Sequence, residues 1–237
     1  MNNAIATTQP VHPLLLQRWS PKSFQDRPVP AATLNALFEA ARLAPSCFNE
    51  QPWHFIAGTK DNPAQYEKIL RCFTPDNQAW ARTAPVLIIA VVKLYFQHNG
   101  APNVFAWHDL GLAVANLTFQ AVHEGLQVCE AAGIDHERLY TEFAIPEGYQ
   151  PCTGLALGYA GNGANLTPGL QQKHNRERTR KPVQSFVHYG MPALEMTLDA
   201  QQKQVYELMK EKFAFGDLRP VFAFARQRME KAAGVKA

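Results

Sequence analysis

Cysteine is scarce in this chain of 237 residues: Cys47, Cys72, Cys129 and Cys152 stand far apart, with no close pair and no His-x-x-x-His partner. Clustered zinc ligands are therefore not indicated, no metal is expected, and free thiols in a reducing compartment are the simplest reading. Long apolar runs are missing as well. The longest, Val86 to Val92, falls far short of the roughly 20 residues a membrane-spanning helix needs. Met1 to Pro10 lacks the hydrophobic region of a secretory signal, so no membrane contact is expected and the expected location is cytoplasmic. Charge of one sign is not in excess either. The formal net charge is +3, and Lys and Arg are spread along the chain except for a cluster from Lys173 to Lys181, which gives nucleic-acid binding little support.

What the chain does have is apolar content, 46% with 11% aromatics, enough over this length for one sizeable core. Residues 1–12 read as a flexible start. A short helix is expected over Pro13 to Arg18, then a longer one over Val29 to Arg42, whose Leu34, Leu37, Phe38 and Ala41 mark one face. Trp53 to Gly58 reads as a strand and Asn62 to Phe73 as a second helix. Pro85 to Lys93 carries a continuous β-branched run and should be a central strand buried on both faces. His108 to Gln127 is the longest helical pattern, with small residues on several sides. A strand over Leu126 to Ala132, a helix over His136 to Phe143 and a last strand over Cys152 to Ala160 follow. Gly158, Gly161 and Gly163 do not have the order of a dinucleotide fingerprint. Residues 183–237 add two amphipathic helices, 199–213 and 218–233, expected to pack on the same domain or on a partner subunit.

Two polar segments carry chemistry. In Gln17-Arg18-Trp19-Ser20-Pro21-Lys22, alternation along an extended backbone puts Arg18, Ser20 and Lys22 on one side, a grip suited to a phosphate and a ring. In Leu43 to Phe55, Pro45 stops the preceding helix. A turn rich in Ser, Asn and Gln follows, whose amides can donate and accept at once. Taken alone it also reads as a helix stop followed by a polar loop. No Ser/His/Asp or Cys/His order stands out, and His54 and His108 read as packed or capping residues.

Together, Arg18-x-Ser20-x-Lys22 and Pro45-Ser46-x-x-Asn49-x-Gln51-Pro52-Trp53 resemble the flavin-dependent nitroreductase family over residues 13–182. The resemblance implies an α+β fold with a mixed central sheet flanked by helices. It also implies an interlocked homodimer with one FMN at each of two interface sites. Arg18, Ser20, Arg178 and Arg180 are the positions implied to hold the phosphate and ribityl chain, with Trp19 among the other implied cofactor contacts. Lys22 is implied to stabilise charge on the flavin N1–C2=O edge, and Pro45, Ser46, Cys47 and Asn49 to reach the ring from the partner subunit. Asn77 matches the residue that holds the pyrimidine edge. The stretch Ala131, Ala132, Gly133 matches the loop over N5, where some members carry a Glu that this chain lacks. The pattern Asp109, Gly111, Ala113, Asn116, Leu117 matches the family's interface helix. Read without the resemblance, Asn77 is a turn or cap residue and the 173–181 run a solvated basic surface. The implied activity is NAD(P)H-dependent reduction of nitroaromatics or quinones. Same-fold flavin chemistry (dehalogenation, oxidation of a peptide-derived substrate, flavin breakdown) and a non-catalytic flavin or partner binder are the alternatives.

Overall fold

The computed structural model describes residues 7–187 and Tyr189. The helices expected over 199–213 and 218–233 lie outside the described residues. The chain divides into two units, Met1–Arg178 and Thr179–Ala237, and the sheet belongs to the first. In chain order the first unit holds α1 (Pro13–Gln17), α2 (Ala31–Arg42), β1 (Trp53–Thr59), α3 (Pro63–Arg71), α4 (Pro75–Ala81), β2 (Val86–Lys93), α5 (Ala106–His123), β3 (Gln127–Ala131), α6 (His136–Phe143), β4 (Tyr149–Gly158) and α7 (Pro168–His174).

Everything is arranged around β2. Its side chains alternate between two apolar clusters. Leu87, Ile89 and Val91 pack with Tyr66, Ile69 and Leu70 of α3, Trp80 of α4 and Leu139 of α6. Val86, Ile88, Ala90 and Val92 pack with Leu37 and Ala41 of α2 and with Leu110, Ala113, Val114 and Leu117 of α5. Ile88 and Ile89 are fully buried, a burial that contributes about 1.5–3 kcal/mol each.

The strand order is β1-β2-β4-β3. The α+β class holds, but the sheet expected to be mixed is, among the described residues, antiparallel at every strand pair. The unbroken apolar run of β2 comes from helices on both faces of an antiparallel sheet, not from parallel pairing. Between β2 and β4 the register slips at Ala90 and Val91, so that Ala90 faces Thr153 and Val91 faces Pro151, with Cys152 of β4 left over. That bulge accommodates a proline that cannot donate to the ladder, and the strand therefore begins three residues before the expected Cys152.

Two helices were not expected from periodicity. Both α4 and α7 are seven residues long and open on Thr-Pro, with proline at the first helical position. α5 ends at His123 rather than Gln127, because Gly125 takes φ +74° and Leu126 N–H bonds back to Ala121 O at 2.8 Å. One face of α5 is buried, from Ala106 and Asp109 through to Val122. Trp107 and Gly111 on the other face are open.

Candidate functional site

The Arg18 segment is docked onto the core by its own backbone. Trp19 N–H donates to Gln127 Oε1 at 3.0 Å, Lys22 N–H to His174 Nδ1 at 3.1 Å, and Phe24 N–H to Thr83 Oγ1 at 3.1 Å. Arg18 is extended and its guanidinium reaches Ser20 Oγ at 3.2 Å, as expected of i and i+2 neighbours. Lys22 departs from that ladder. It lies at a bend and turns inward, its ammonium 3.2 Å from Cys129 Sγ and 3.9 Å from the centre of the Trp80 ring. Arg178 is brought to the same end of the molecule, its Nη1 donating to Leu16 O at 2.7 Å. Arg180 belongs to the second unit, where its guanidinium bonds Thr179 O at 2.8 Å.

The loop after α2 is built differently. Phe48, Asn49 and Gln51 hold φ of 53°, 57° and 51°. Left-handed backbone costs an L-residue about 1–2 kcal/mol, so this conformation needs outside support. Two carboxylates tie it to neighbouring elements, one from α5 and one from the loop itself. Asp109, 2% exposed in the first turn of α5, accepts Cys47 N–H at 2.9 Å and lies 3.1 Å from His108 Nδ1. Glu50 accepts Gln97 N–H at 2.7 Å and Lys93 Nζ at 3.2 Å. Ser46 Oγ closes the turn by accepting Gln51 N–H at 3.0 Å. Pro45 and Asn49 are exposed, and Ser46 and Cys47 half-buried. Burial, and then the Asp109 carboxylate, push the Cys47 thiol up, which suits packing rather than nucleophilic attack.

Asn77 and the 131–133 stretch come together. The Asn77 amide donates to Gly133 O at 3.0 Å and to Thr74 Oγ1 at 3.2 Å, while its oxygen accepts Trp80 Nε1–H at 3.0 Å. Asn77 thus anchors α4 to the loop, with both amide hydrogens engaged inside the chain. A Cβ at Gly133 would stand 2.5 Å from Asn77 Nδ2, which accounts for glycine there. Ala131 is buried and its carbonyl accepts Thr153 Oγ1–H at 3.0 Å, whereas Ala132 is exposed.

Within one chain the two polar segments do not share a slot. The Cys47 loop is fixed at the first turn of α5, and Trp19 is fixed to Gln127, four residues past the end of that helix. α5 has 18 residues, a length of about 27 Å. A groove of about 820 Å³ runs along Trp19, Phe24, Lys60, Thr83 and Asn165 but takes in neither Lys22 nor the loop. Among the described residues no group of three or more His, Cys, Asp or Glu could hold a metal, and no helix is long and apolar enough to cross a membrane.

The model of the nitroreductase family matches residues 15–159, well over half of the chain. The chain belongs to the nitroreductase family. Among curated proteins, this nitroreductase-family chain is 32% identical over 146 residues to a putative NADH dehydrogenase/NAD(P)H nitroreductase of Methanothermobacter thermautotrophicus, covering 60% of this chain and 73% of that one. It is 34% identical over 86 residues to an uncharacterized 15.4 kDa protein of Mycolicibacterium smegmatis, covering 36% of this chain and only 58% of that relative's length. Among solved structures, an oxidoreductase containing FMN superposes with a TM-score of 0.76 at 28% identity, covering 81% of this chain and 98% of the other.

Sequence reasoning passed over two residues that organise the candidate site of this nitroreductase-family chain. His174 is 5% exposed, and its ring meets Trp19 edge-on at 5.0 Å. Burial lowers its pKa against a backbone hydrogen bond with Gly161, so the ring is neutral and Nδ1 can accept from Lys22 N–H. No local signal marks that histidine. Trp80 could have been found: Thr74-Pro75-Asp76 announces a helix start, and Asn77 and Trp80 are then i, i+3 neighbours on it.

Proposed function

We propose that this protein is an FMN-dependent oxidoreductase that takes electrons from NAD(P)H and passes them to a nitroaromatic, quinone or related acceptor. Family membership and likeness to an FMN-containing oxidoreductase support the flavin, and the Methanothermobacter relative, by its name, supports the NAD(P)H donor. The observation that carries the reading is the docking of the Arg18–Lys22 segment along the β3 edge of the sheet, with Arg18 paired to Ser20, Lys22 held at Cys129 and Arg178 bonded to Leu16 O next to the segment. That donor set fits a phosphorylated, polar-edged ring. Arg18 and Arg178 suit the phosphate, since a guanidinium offers a fork of donors, and Ser20 suits the ribityl chain. When bound, FMN supplies hydride transfer at N5, with charge gathering on its N1–C2=O edge. Lys22 is the cation suited to that edge, and Ala132, beside Gly133, is exposed.

The proposal includes a homodimer. One α5 length separates the Arg18 segment from the Pro45–Gln51 loop, so a single ring meets both only if a second chain lies with its α5 antiparallel to the first, as a twofold axis provides. Small or apolar residues Trp107, Gly111, Leu112 and Ala115 on the open side of α5 support such a contact. Proton delivery is assigned to water, since His108 is engaged with Asp109 and His54 lies against Tyr149 at 5.0 Å.

The test is anaerobic titration of the FMN-reconstituted protein with NADH and with NADPH. Bleaching of the flavin by one of them, followed by recovery on adding a quinone or nitroaromatic, is expected. Failure to take up FMN would overturn the whole reading. Uptake without bleaching by either nucleotide would leave a flavoprotein of different chemistry.

A further inference from the structure

We infer that Cys129 and Trp80 are positioning residues that fix the Lys22 ammonium, and that through Asn77 they tie it to the 131–133 loop. The inference rests on the proposed role of Lys22 at the flavin edge. A free lysine has four flexible torsions and about 2 kcal/mol of rotamer entropy, so a cation meant to act at one spot needs to be held. Here it is held from two sides. Cys129, on β3 and fully buried, accepts from Lys22 Nζ at 3.2 Å, while its own S–H lies 3.8 Å from Glu130 O. Trp80, 2% exposed, presents its ring face at 3.9 Å. The ring is itself locked, because Trp80 Nε1–H bonds Asn77 Oδ1 at 3.0 Å and Asn77 Nδ2 bonds Gly133 O at 3.0 Å. A continuous line of contacts thus runs from the cation to the loop.

The choice of holders matters for charge. A carboxylate in place of Cys129 would hold the ammonium as well but would neutralise it. Burial raises the Cys129 thiol against the pull of Lys22, so the thiol stays neutral and the full positive charge is retained. An aromatic face likewise attracts the cation without cancelling it. The arrangement therefore fixes a cation while leaving it able to stabilise negative charge elsewhere.

Two measurements test this. In the FMN-loaded protein, Cys129→Ala is expected to weaken the preference for reduced over oxidised FMN by about threefold to tenfold, the scale of one modest hydrogen bond. Tenfold corresponds to about 30 mV for a two-electron couple. Cys129→Ser, which still accepts, should stay near the native value, and Trp80→Phe should shift it less than Cys129→Ala. In a Lys22→Met background, Cys129→Ala should have no further effect. A shift that persists without Lys22, or a native potential in Cys129→Ala when Lys22→Met lowers it, would overturn the inference.

The second readout needs no cofactor. In the apoprotein the Lys22 ε-methylene protons, identified by their loss in Lys22→Met, should lie upfield under the Trp80 ring. An ordinary lysine shift would overturn the hold. Lack of FMN uptake would count against the proposed function, and the apoprotein shift would still decide the hold.

Discussion

The Arg18–Phe24 segment and the Pro45–Gln51 loop both present polar groups at a surface, yet they are held in opposite ways. The first is fixed by what its own backbone donates, to Gln127, His174 and Thr83, and by the Phe24 to Ala160 bridge. The second has a backbone that no local preference favours, with three of four consecutive residues at positive φ. It keeps that shape because Asp109 accepts Cys47 N–H at one end and, at the other, the loop's own Glu50 carboxylate is tied to Gln97 N–H and Lys93 Nζ. A grip built into the core is expected to be rigid and to carry most of the ligand affinity. A strained loop clamped from outside is expected to define shape, and to yield first when a clamp is removed.

The comparison breaks most easily at Arg18. Arg18→Ala is expected to weaken FMN binding by about 1.5–3 kcal/mol, the range for a hydrogen bond to a charged group, whereas Asn49→Ala should cost about 1 kcal/mol, typical of a neutral one. Fluorescence titration of FMN measures both. Equal losses would mean that the segment and the loop share the affinity, and a larger loss at Asn49 would mean that the loop dominates.

Asp109→Ala should cost about 1–3 kcal/mol of stability by leaving Cys47 N–H without its buried acceptor. Hydrogen exchange is the informative probe, since amides of 46–51 should speed up while those of 19–24 stay protected. A uniform rise in both segments would show that the clamp serves the whole domain.

Much of this was legible in the chain. The β2 run and the α2 stripe reveal themselves because burial dictates side-chain type at a fixed period. Arg18, Ser20 and Asn49 stand out because their spacing matches a known family. The sheet's antiparallel sense was not legible, since covering both faces with helices leaves the same apolar run as parallel pairing does. Nor were the holders of the site. His174, 152 positions from Lys22, acts through one ring nitrogen, and Asp109 acts on a backbone N–H, 62 positions away. Side-chain contacts to distant backbone leave no periodic trace. The inward turn of Lys22 was hidden for a similar reason: an extended ladder predicts which side a residue takes, but a bend at its end does not follow from alternation.

A change of pH should separate the two regions further. His174 is held neutral by burial, so its folded pKa lies below the value of about 6.5 that it has in the unfolded chain. The stability this neutral ring contributes is complete above pH 6.5 and is lost as pH falls towards the lowered value, because the unfolded chain binds the proton more readily. Protonated Nδ1 can no longer accept Lys22 N–H. The protection factor of the Lys22 amide, with exchange corrected for its intrinsic pH dependence, should therefore fall as pH drops below about 6.5, and Cys47 should not share the change. In His174→Gln the dependence at Lys22 should flatten, and a profile matching the native one would assign the acid sensitivity elsewhere.

The smallest expected effect lies in the loop's strain. Gln51 holds φ 51° while its N–H bonds Ser46 Oγ and its amide reaches Asn49 O at 3.1 Å. Gln51→Gly relieves a left-handed cost of about 1–2 kcal/mol. It also makes the unfolded chain more flexible by about 0.4–1 kcal/mol, and it loses an exposed side-chain hydrogen bond. The net should be a gain of at most about 1 kcal/mol in urea denaturation. If the loop's role is shape, affinity for FMN should nevertheless fall slightly, because a glycine lets the 46–51 turn relax when no ligand is bound. Stability and affinity moving together would mean the strain has no purpose in the site, and the contrast between a built-in grip and a clamped loop would reduce to a difference in burial alone.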